Sequence, residues 1–483
     1  MTALIPVAPL PVSAPMAMGT LVVLDAQARF LDRDLITGGS PWRLLRLPGG
    51  SRLVAERWVN GARVRAGEER FARTLVQQGL LHPVFAPALD VDQVDVVIPV
   101  RDDAASLESL LAQLTGLHVS VVDDGSGEPG PIAQCAERFG AALVRLEQNQ
   151  GPAGARNAGV AATSRPLVWF LDVDVSLDNA QDVLARLAAQ FDDPLLAAAA
   201  PRIRGGVGAS IRDRFEQRFS PLDMGDRAGL VMPGGPVPYV PSACLVVRRS
   251  ALGGGFDVTL RAGEDVDLVW RLVDQGWLVR YVADVVVTHR ARTSWQRWWS
   301  QRIGYGASAS ELAKRHGSRL APLRCDAWTL VAWTSVLLSK PMIGARIVRV
   351  ARHSLRARLE LSTDDADHVS SEVVTKGMVR SGGPLARAAV RTFGPLVLVA
   401  ALHPKLRRRA LALYVVGTAW RWRRARVHLG DAPLGAADDL AYALGVYRGA
   451  WRARTLRALT PDVIKPSVSV REMLGLRARG GAL

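Results

Sequence analysis

The sequence predicts an α/β protein with a mostly parallel sheet covered by helices on both faces. A small N-terminal α+β unit and a helical C-terminal region flank this sheet. Three observations support the prediction. Apolar runs of strand length alternate with helical patterns in the middle of the chain, short mixed pieces with Gly turns precede them, and a basic, Trp-rich helical pattern follows.

The first 90 residues divide into a lead-in and a small unit. Residues 1–19 are apolar and Pro-rich with no basic segment before them, so we expect a flexible lead-in rather than a secretion signal. Residues 20–90 contain "RFLDRDLITGGSPWRLLRL", "RLVAERWVNG" and "EERFARTLVQQGLL", short pieces typical of an α+β unit. "PVFAPALD", which ends at Asp90, is then predicted to be a linker.

The central region, residues 91–316, carries the sheet. Its strand-like runs are "VDVVIPV", "VSVVDDGS", "ALVRLEQN" and "PLVWFLDVDV", and the helical patterns "ASLESLLAQL" and "PIAQCAERFG" lie between them. In a parallel α/β sheet, ligands bind beyond the carboxyl ends of the strands. The polar residues that close these strands are therefore the candidate site residues.

The C-terminal region, residues 317–483, is basic and contains three apolar segments, "DAWTLVAWTSVLL", "GPLVLVAALHP" and "ALALYVVGTAW". None reaches the ~18–20 uninterrupted apolar residues of a spanning helix. Two interpretations remain open: buried helices of a soluble domain, or helices lying at a membrane interface, where Trp and Arg are favoured.

Charge is distributed unevenly along the chain. The net charge is +16, but roughly 34 Lys and Arg face 12 Asp and Glu from His289 onward. Such an excess is typical of proteins that bind nucleic acid or an anionic membrane surface. Because the basic region lacks RNA-binding motifs, we expect a membrane partner and no nucleic acid. Three distant cysteines without a CxxC pair indicate neither a disulfide framework nor a zinc site, and they favour a reducing compartment.

The first two strands end in "IPVRDD" and "VVDDGS" instead of a nucleotide-binding glycine motif. No GxGxxG follows the first strand and no GxxxxGK[ST] occurs, which disfavours dinucleotide and P-loop binding. Asp123 and Asp124 before Gly125 suit a turn, for which one Asp would suffice. The second carboxylate could accept hydrogen bonds from a base or a ribose.

The segment "NQGPAGARNAG" is rich in small residues. Such a backbone, from Gly151 onward, lets a ligand or a strand approach closely. Arg156 would supply positive charge to a ligand and Asn157 would supply amide donors. The alternative is a Gly-rich loop that enters a well-packed helix.

The run "VWFLDVDV" places Asp172 and Asp174 at the end of an apolar strand, where a period of two would direct both carboxylates to one face. Two hard oxygen ligands suit Mg²⁺ or Mn²⁺ carried with substrate phosphates. His289 follows another apolar strand and is a candidate third ligand, although a single His is more often structural.

The stretch "RAGEDVDLVWRL" combines three acids with a helical pattern. Acids in the first turn of a helix are favoured by its dipole, which accounts for Glu264, and Asp267 has Arg271 as an i,i+4 partner. Asp265 heads the apolar stripe and is therefore predicted to point inward. An inward carboxylate at a helix start is a candidate general base.

Taken together and in order, "IPVRDD", "VVDDGS", "NQGPAGARNAG", "FLDVDV", "GEDVDL" and "VVTHR" resemble the family 2 inverting glycosyltransferases, which have the Rossmann-like GT-A fold. The resemblance implies a nucleoside site at Pro99, Arg101, Asp102 and Asp124, and a DxD motif at Asp172 and Asp174 for ribose and a metal-bound diphosphate. It further implies His289 as a late metal ligand and Asp265 as the base of a single displacement that inverts the sugar. Processive members carry a QxxRW-type motif that "SWQRWWSQRIGYG" does not match in spacing.

The layout of the whole chain resembles a narrower group, the glycosyltransferases of the mycofactocin system in actinobacteria. Its leading segment is similar to the PqqD-like winged helices that recognise precursor peptides. This resemblance implies transfer of β-linked glucose, repeated as a 1,4-linked chain, from a UDP-sugar to the peptide-derived cofactor premycofactocin. The alternative is a rhamnosyl-, galactosyl- or glucosyltransferase of envelope glycan or lipid. In either case we expect a position at the cytoplasmic side of the cell membrane, peripheral or monotopic, with spanning left open.

Overall fold

The computed structural model describes residues 14–31, 34–39, 42–47, 49–208, 210–290, 294–359, 361–423 and 429–464. The chain divides into two compact units, Met1–Ala291 and Arg292–Leu483. The helix Trp295–His316, which the sequence placed with the central region, thus belongs to the second unit. The reason is a close helix crossing: a Cβ on Gly306 would lie 2.1 Å from the Tyr442 carbonyl oxygen, and one on Gly445 2.2 Å from the Ile303 carbonyl oxygen.

The N-terminal part of the first unit is a small α+β structure with its own core. Trp58, Ile36, Leu75 and Leu80 are fully buried in that core. β1 pairs with β5, and β2, β3 and β4 form an antiparallel meander. The elements are β1 (Leu21–Leu24), β2 (Arg29–Phe30), β3 (Leu35–Gly38), β4 (Arg43–Arg46), α1 (Ser51–Val59), α2 (Glu69–Gln77) and β5 (Leu81–Val84).

The central sheet follows, with nine strands among the residues that the structure describes. They are β6 (Val94–Val100), β7 (His118–Asp124), β8 (Ala142–Leu146), β9 (Leu167–Leu171), β10 (Val175–Ser176), β11 (Leu196–Gly205), β12 (Gly229–Leu230), β13 (Cys244–Arg248) and β14 (Leu278–His289). The helices between them are α3 (Ala104–Leu111), α4 (Gly130–Arg138), α5 (Gly151–Ala161), α6 (Ala180–Ala188), α7 (Ile211–Phe219) and α8 (Glu264–Asp274).

The strand order is β10-β14-β11-β13-β9-β6-β7-β8, with β12 on β14. Six strands, β6, β7, β8, β9, β11 and β14, run in one direction, whereas β13 and the two-residue strands β10 and β12 run against them. The predicted mostly parallel sheet is confirmed.

Helices cover both faces of this sheet. Val96 and Ile98 of β6 pack in one core with residues of α3, α4 and α6. Val97, between them, faces the other side, where a Cβ on Gly159 of α5 would lie 2.3 Å from its Cγ1. Gly159 of "NQGPAGARNAG" therefore serves the close packing of a helix on the sheet.

The second unit is helical. Its elements are α9 (Trp295–His316), β15 (Arg324–Asp326), α10 (Ala327–Leu337), α11 (Pro341–Arg358), α12 (Thr363–Ser370), a π-helical turn (Ser371–Lys376), α13 (Gly377–Leu402), α14 (Arg407–Arg423), α15 (Ala432–Arg452) and β16 (Asp462–Ile464), which pairs parallel with β15. The predicted helical C-terminal region is confirmed.

Within the described part of the chain, one helical stretch, Thr363–Leu402, is long and apolar enough to cross a membrane by length and composition alone. The sequence predicted no segment of that length, because charged residues separate its apolar segments. In the structure α12, the π-helical turn and α13 follow one another without a break, and within α13 the backbone departs from helical geometry at Phe393.

Candidate active site

The carboxyl ends of β6, β7, β9 and β14 bring the sequence motifs to one edge of the sheet. β6 ends at Val100, before Arg101 and Asp102, and β7 ends in Asp123 and Asp124. β9 ends at Leu171 and β14 at His289. Residues that are far apart in the chain are thereby neighbours, as the parallel topology predicts.

Asp102 and Ser126 join the ends of β6 and β7. The Asp102 amide donates to Ser126 Oγ (2.9 Å), and its carboxylate accepts from the Gly127 amide (2.8 Å). Asp102 has a φ of 53°, a backbone region that costs energy for a residue other than glycine. Pro99 lies one residue before the end of β6 and is partly exposed, and the exposed Arg101 has its Nε 3.4 Å from Asp102 Oδ2.

The two aspartates at the end of β7 hold loops. Asp123 accepts from the Ser126 amide (3.0 Å) and hydroxyl (2.6 Å) and pairs with Arg145. Asp124 accepts from the amides of Gln150 (2.7 Å) and Gly151 (2.9 Å). Both carboxylates thus have protein donors, and their contact with a nucleotide stays a prediction.

Burial raises the pKa of Asp124 despite these amide donors, and the nearby charges of Arg101 and Arg261 act in the opposite direction. Gly151, with a φ of +80°, lies beside Arg261: a Cβ there would lie 3.2 Å from the Arg261 Nη1. Two exposed cations therefore border this corner of the sheet edge. They could receive the charge of a phosphorylated ligand.

Asn157, which the sequence predicts to supply amide donors to a ligand, has partners within the protein. Its Nδ2 donates to the Phe256 carbonyl oxygen (2.8 Å), and its Oδ1 accepts from the Phe256 amide (2.8 Å). Phe256 packs edge-on against Phe170 at 5.2 Å and lies under the Arg156 guanidinium at 5.5 Å. The observed contacts of Asn157 therefore position the loop before α8.

Asp172 and Asp174 lie in a turn, not in the strand from which a shared face was predicted. β9 stops at Leu171, and the Asp172 amide donates to the Ala243 carbonyl oxygen (2.9 Å). The Val175 amide then closes the turn on the Asp172 carbonyl oxygen (3.0 Å). The two carboxylates consequently have different partners.

Asp174 is paired with His289. Its Oδ1 lies 3.0 Å from His289 Nε2, and both side chains are largely buried. The short strand β10 sets this distance, because Val175 pairs with His289 across the ladder and the Arg290 amide donates to the Asp174 carbonyl oxygen (2.8 Å). The two residues predicted as metal ligands are thus adjacent.

Arg156 connects the turn after β9 with the start of α8. Its Nη2 lies 2.6 Å from Asp172 Oδ1, and its Nη1 lies 2.8 Å from Glu264 Oε1. The side chain is 4% exposed, and the surrounding carboxylates raise the pKa of Arg156 although its burial opposes this. A buried cation shared by two carboxylates holds these two segments in a defined arrangement.

The three acids of α8 have three different environments. Asp267 is 2% exposed and pairs with Arg271 Nε at 2.8 Å, so the predicted i,i+4 pair is confirmed. Glu264 is 6% exposed, because it faces Arg156. Asp265 is the most exposed of the three, which corrects the prediction that it alone points inward.

The Asp265 carboxyl group is nevertheless closely surrounded by other protein atoms. Its Oδ1 accepts from the Val266 amide (2.8 Å), and its Oδ2 is 3.3 Å from the Ser242 amide. Burial and the charge of Glu264 together raise the pKa of Asp265 to about 7, and the charge of Arg156 opposes both. A partly accessible carboxylate whose pKa lies near neutrality is suited to accept a proton from a ligand.

The residues present are compatible with a divalent cation. Among the residues described, no group of three or more His, Cys, Asp and Glu side chains could hold a metal ion. Asp174 and His289 provide two ligands, and Mg²⁺ is commonly bound by one or two carboxylates together with substrate phosphates and water. The donor set therefore fits a cation that arrives with a phosphorylated substrate.

The sequence does not indicate the partners of two charged residues in this site. It explains Glu264 by helix-start electrostatics alone and gives no role to Arg145. Arg145 lies 22 residues after Asp123, and Glu264 lies 108 residues after Arg156. Nothing in the local pattern around these residues indicates such distant partners.

A model of the family described as glycosyl transferase family 2 matches residues 95–256. The pre-mycofactocin glycosyltransferase of Mycobacterium tuberculosis (strain H37Rv) is 37% identical over 477 residues, which cover 92% of this chain and 98% of that protein. The succinoglycan biosynthesis protein ExoU of Rhizobium meliloti is 30% identical over 188 residues, 36% of this chain and 53% of that protein.

Among solved structures, the mannosyltransferase PcManGT from Pyrobaculum calidifontis, in complex with GDP-Man and Mn²⁺, aligns with a TM-score of 0.44 and 16% identity. The alignment covers 76% of this chain and 91% of that structure. The similarity to the Mycobacterium protein, in contrast, extends over nearly the full length of both chains. The chain belongs to the family 2 glycosyltransferases, in the group of the pre-mycofactocin glycosyltransferase.

Proposed function

We propose that this enzyme transfers glucose with inversion from UDP-glucose to premycofactocin and extends it as a β-1,4-linked chain. The observation that carries the proposal is the similarity, at 37% identity over 92% of the chain, to a pre-mycofactocin glycosyltransferase. The donor, the sugar and the linkage rest on the resemblance to that group. The arrangement of Asp265, Arg156 and the Asp174–His289 pair supports the chemistry.

Asp265 is the proposed general base. Its carboxylate takes the proton from an acceptor hydroxyl, and the acceptor oxygen forms a bond with the anomeric carbon. The bond from that carbon to the diphosphate oxygen breaks, and its electron pair leaves with UDP. Attack from the face opposite the leaving group converts an α-linked donor into a β-linked product.

Asp174 and His289 are the proposed ligands of Mg²⁺ or Mn²⁺. The cation would supply charge neutralisation for the departing diphosphate. Asp172, held by Arg156 at 2.6 Å, lies two residues before Asp174 and is the proposed contact of the donor ribose. Arg101 and Arg261 add positive charge near the nucleotide corner.

The N-terminal unit is the proposed recognition element for the peptide-derived acceptor, by its similarity to PqqD-like winged helices. Several apolar side chains of the unit are exposed, including Leu53 (71%) and Trp42 (46%). β4, in addition, pairs only with β3 among the residues described. An exposed strand edge beside apolar side chains can accept a peptide as an added strand.

The second unit carries the proposed membrane contact, at the cytoplasmic side of the cell membrane. Its basic excess supports attraction to anionic lipids. The exposed apolar side chains of α13 and α14 support partial insertion.

The experiment is a donor and acceptor matrix. Purified full-length enzyme with Mn²⁺ is offered UDP-glucose, UDP-galactose or dTDP-rhamnose together with premycofactocin or a polyprenyl phosphate acceptor, and products are identified by mass spectrometry. We expect hexose additions only with UDP-glucose and premycofactocin. Transfer to the polyprenyl acceptor alone would instead establish an envelope glycosyltransferase.

A further inference from the structure

The outer halves of α13 and α14 form a surface that the catalytic proposal does not use. We call residues 394–416 the apolar hairpin: the end of α13, the turn 403–406 and the start of α14. Eight of its large apolar side chains are exposed, by 41% to 84%: Leu396, Leu398, Val399, Leu402, Leu406, Leu411, Val415 and Val416. Contiguous apolar exposure of this kind marks an interaction site.

The inner halves of the same helices are fixed in the bundle. A Cβ on Gly383 of α13 would lie 2.1 Å from Trp420 of α14, and one on Gly417 2.9 Å from the Ala386 carbonyl oxygen, so the helices pack closely and antiparallel. Arg387 of α13 pairs with Asp439 of α15, and Arg421 of α14 pairs with Asp438 at 2.8 Å. The hairpin therefore extends from an anchored base.

The charge around the hairpin has one sign. Between Val373 and Gly430 the sequence contains twelve Lys and Arg and no Asp or Glu. Four of these cations, Lys405 and Arg407 to Arg409, lie at the tip, where all but the partly buried Arg409 are exposed. Arg407 precedes the exposed Leu411 and Val415 by four and eight residues, so all three lie on one face of α14.

We propose that the apolar hairpin lies in the interface of an anionic lipid bilayer with its exposed leucines and valines among the acyl chains and its tip cations at lipid phosphates. This inference rests on the proposed membrane location and names the surface that produces it. Long Arg and Lys side chains can reach phosphates while their helix lies in the apolar boundary.

The same surface is too short to cross the membrane. The part of α13 that belongs to the apolar hairpin follows the departure from helical geometry at Phe393 and runs from Gly394 to Leu402. Nine helical residues span about 14 Å, roughly half of the ~30 Å hydrocarbon core. Before Phe393 the helix carries Arg380, Arg387 and Arg391, and Arg387 is buried in the bundle.

A second copy of the chain is a less favourable occupant than lipid. A two-fold contact through this surface would place one basic segment near another, because residues 373–430 contain no Asp or Glu, and like charges repel. Anionic lipid, in contrast, supplies opposite charge and acyl chains to the same surface. Both the charge and the apolar area thus favour the bilayer.

The test is flotation of the full-length enzyme with vesicles of phosphatidylcholine, with or without phosphatidylglycerol. We expect the wild type to float with the anionic vesicles and to be released by salt. Val399→Glu combined with Leu402→Glu should reduce the bound fraction at least tenfold. Val379→Glu is the matched control, because Val379 lies on the same helix with 66% exposure against 65% for Val399.

Four outcomes would overturn the inference in distinguishable ways. A wild type that binds neither vesicle contradicts the membrane location itself. Full binding by the Val399→Glu, Leu402→Glu variant places the contact elsewhere, and equal loss with Val379→Glu shows a non-specific effect. A wild-type dimer that this variant converts to a monomer assigns the surface to a second copy. Unchanged turnover of a soluble acceptor verifies that the variants are folded.

Discussion

Asp265 has the environment of a base that titrates near neutrality. Since only the carboxylate can accept the proton, replacing it by an amide should remove base catalysis and leave the donor site in place. We expect Asp265→Asn to lower turnover by about 10²–10⁴-fold, with an unchanged dissociation constant for UDP-glucose by calorimetry. Retained turnover would contradict the assignment of Asp265.

Glu264 should set the pH at which that base works. Burial and the Glu264 charge raise the pKa of Asp265 to about 7, so kcat/KM of the wild type should fall below pH 7 as the carboxylate becomes protonated. Glu264→Gln removes a negative charge but keeps an oxygen for Arg156. The acid limb of the pH–rate profile should therefore move to lower pH, and an unchanged midpoint would count against this influence.

Asp174 should couple donor binding to the cation. Asp174→Ala removes one of the two proposed ligands, so the affinity for UDP-glucose should lose its dependence on added Mn²⁺. Titration of the donor with and without Mn²⁺ measures this. Asp284→Ala is a suitable control, because Asp284 is also an acid of the central domain but its side chain is 68% exposed and pairs with Arg186. Equal cation dependence in Asp174→Ala and the wild type would contradict the ligand assignment.

At this scale the sequence predicted the apolar stripe of α8 but not the partners of its acids. The apolar stripe that Asp265 heads is buried, as predicted: Leu268, Val269 and Leu272 are at most 1% exposed. The burial of Glu264 could not be predicted, because it depends on Arg156, 108 residues away. The DxD carboxylates also diverge because β9 ends before them, and the end of a strand is a tertiary property.

At the scale of elements, α5 lies directly on the sheet through Gly159. A Cβ at this position would lie 2.3 Å from Val97 Cγ1 and 3.1 Å from Val122 Cγ2, and neither side chain can leave the core freely. We expect Gly159→Ala to lower the free energy of unfolding by about 1–3 kcal/mol, despite the better helix propensity of Ala. Gly130→Ala in α4, where a Cβ meets nothing within 4 Å, is the control for chemical denaturation.

The sheet was predictable because its strands are nearly uninterrupted apolar runs. All five residues of β9 are buried, as a parallel strand covered on both faces requires. The reversed strand β13 and the two-residue strands could not be predicted, since pairing direction depends on distant neighbours. In the second unit, charged residues lie between the apolar segments, so the sequence pattern does not predict the continuous helical stretch Thr363–Leu402.

At the scale of the whole first unit, a buried ion pair joins the N-terminal part to the sheet domain. Arg73 of α2 contacts Asp193 through two hydrogen bonds, 2.7 and 2.9 Å, and both side chains are almost fully buried. Burial lowers the pKa of Arg280 in β14 to about 10, although the nearby charge of Asp193 acts to raise it. Two buried arginines therefore depend on one aspartate.

This arrangement predicts unequal effects of two substitutions. Asp193→Asn leaves two buried cations without their anion and should destabilise the protein by about 3–5 kcal/mol. Arg73→Met should cost less, because Arg280 still balances Asp193. Thermal unfolding of both variants measures the difference, and an equal or reversed ranking would contradict the shared-anion arrangement.

The proposed activity is glucosylation of a peptide-derived cofactor. The most direct measurement is mass spectrometry of the cofactor pool in cells with and without the gene, complemented by the wild type or by Asp265→Asn. We expect premycofactocin carrying one or more hexoses only where the wild type is present. Hexosylated cofactor of unchanged abundance in cells that lack the gene would contradict it.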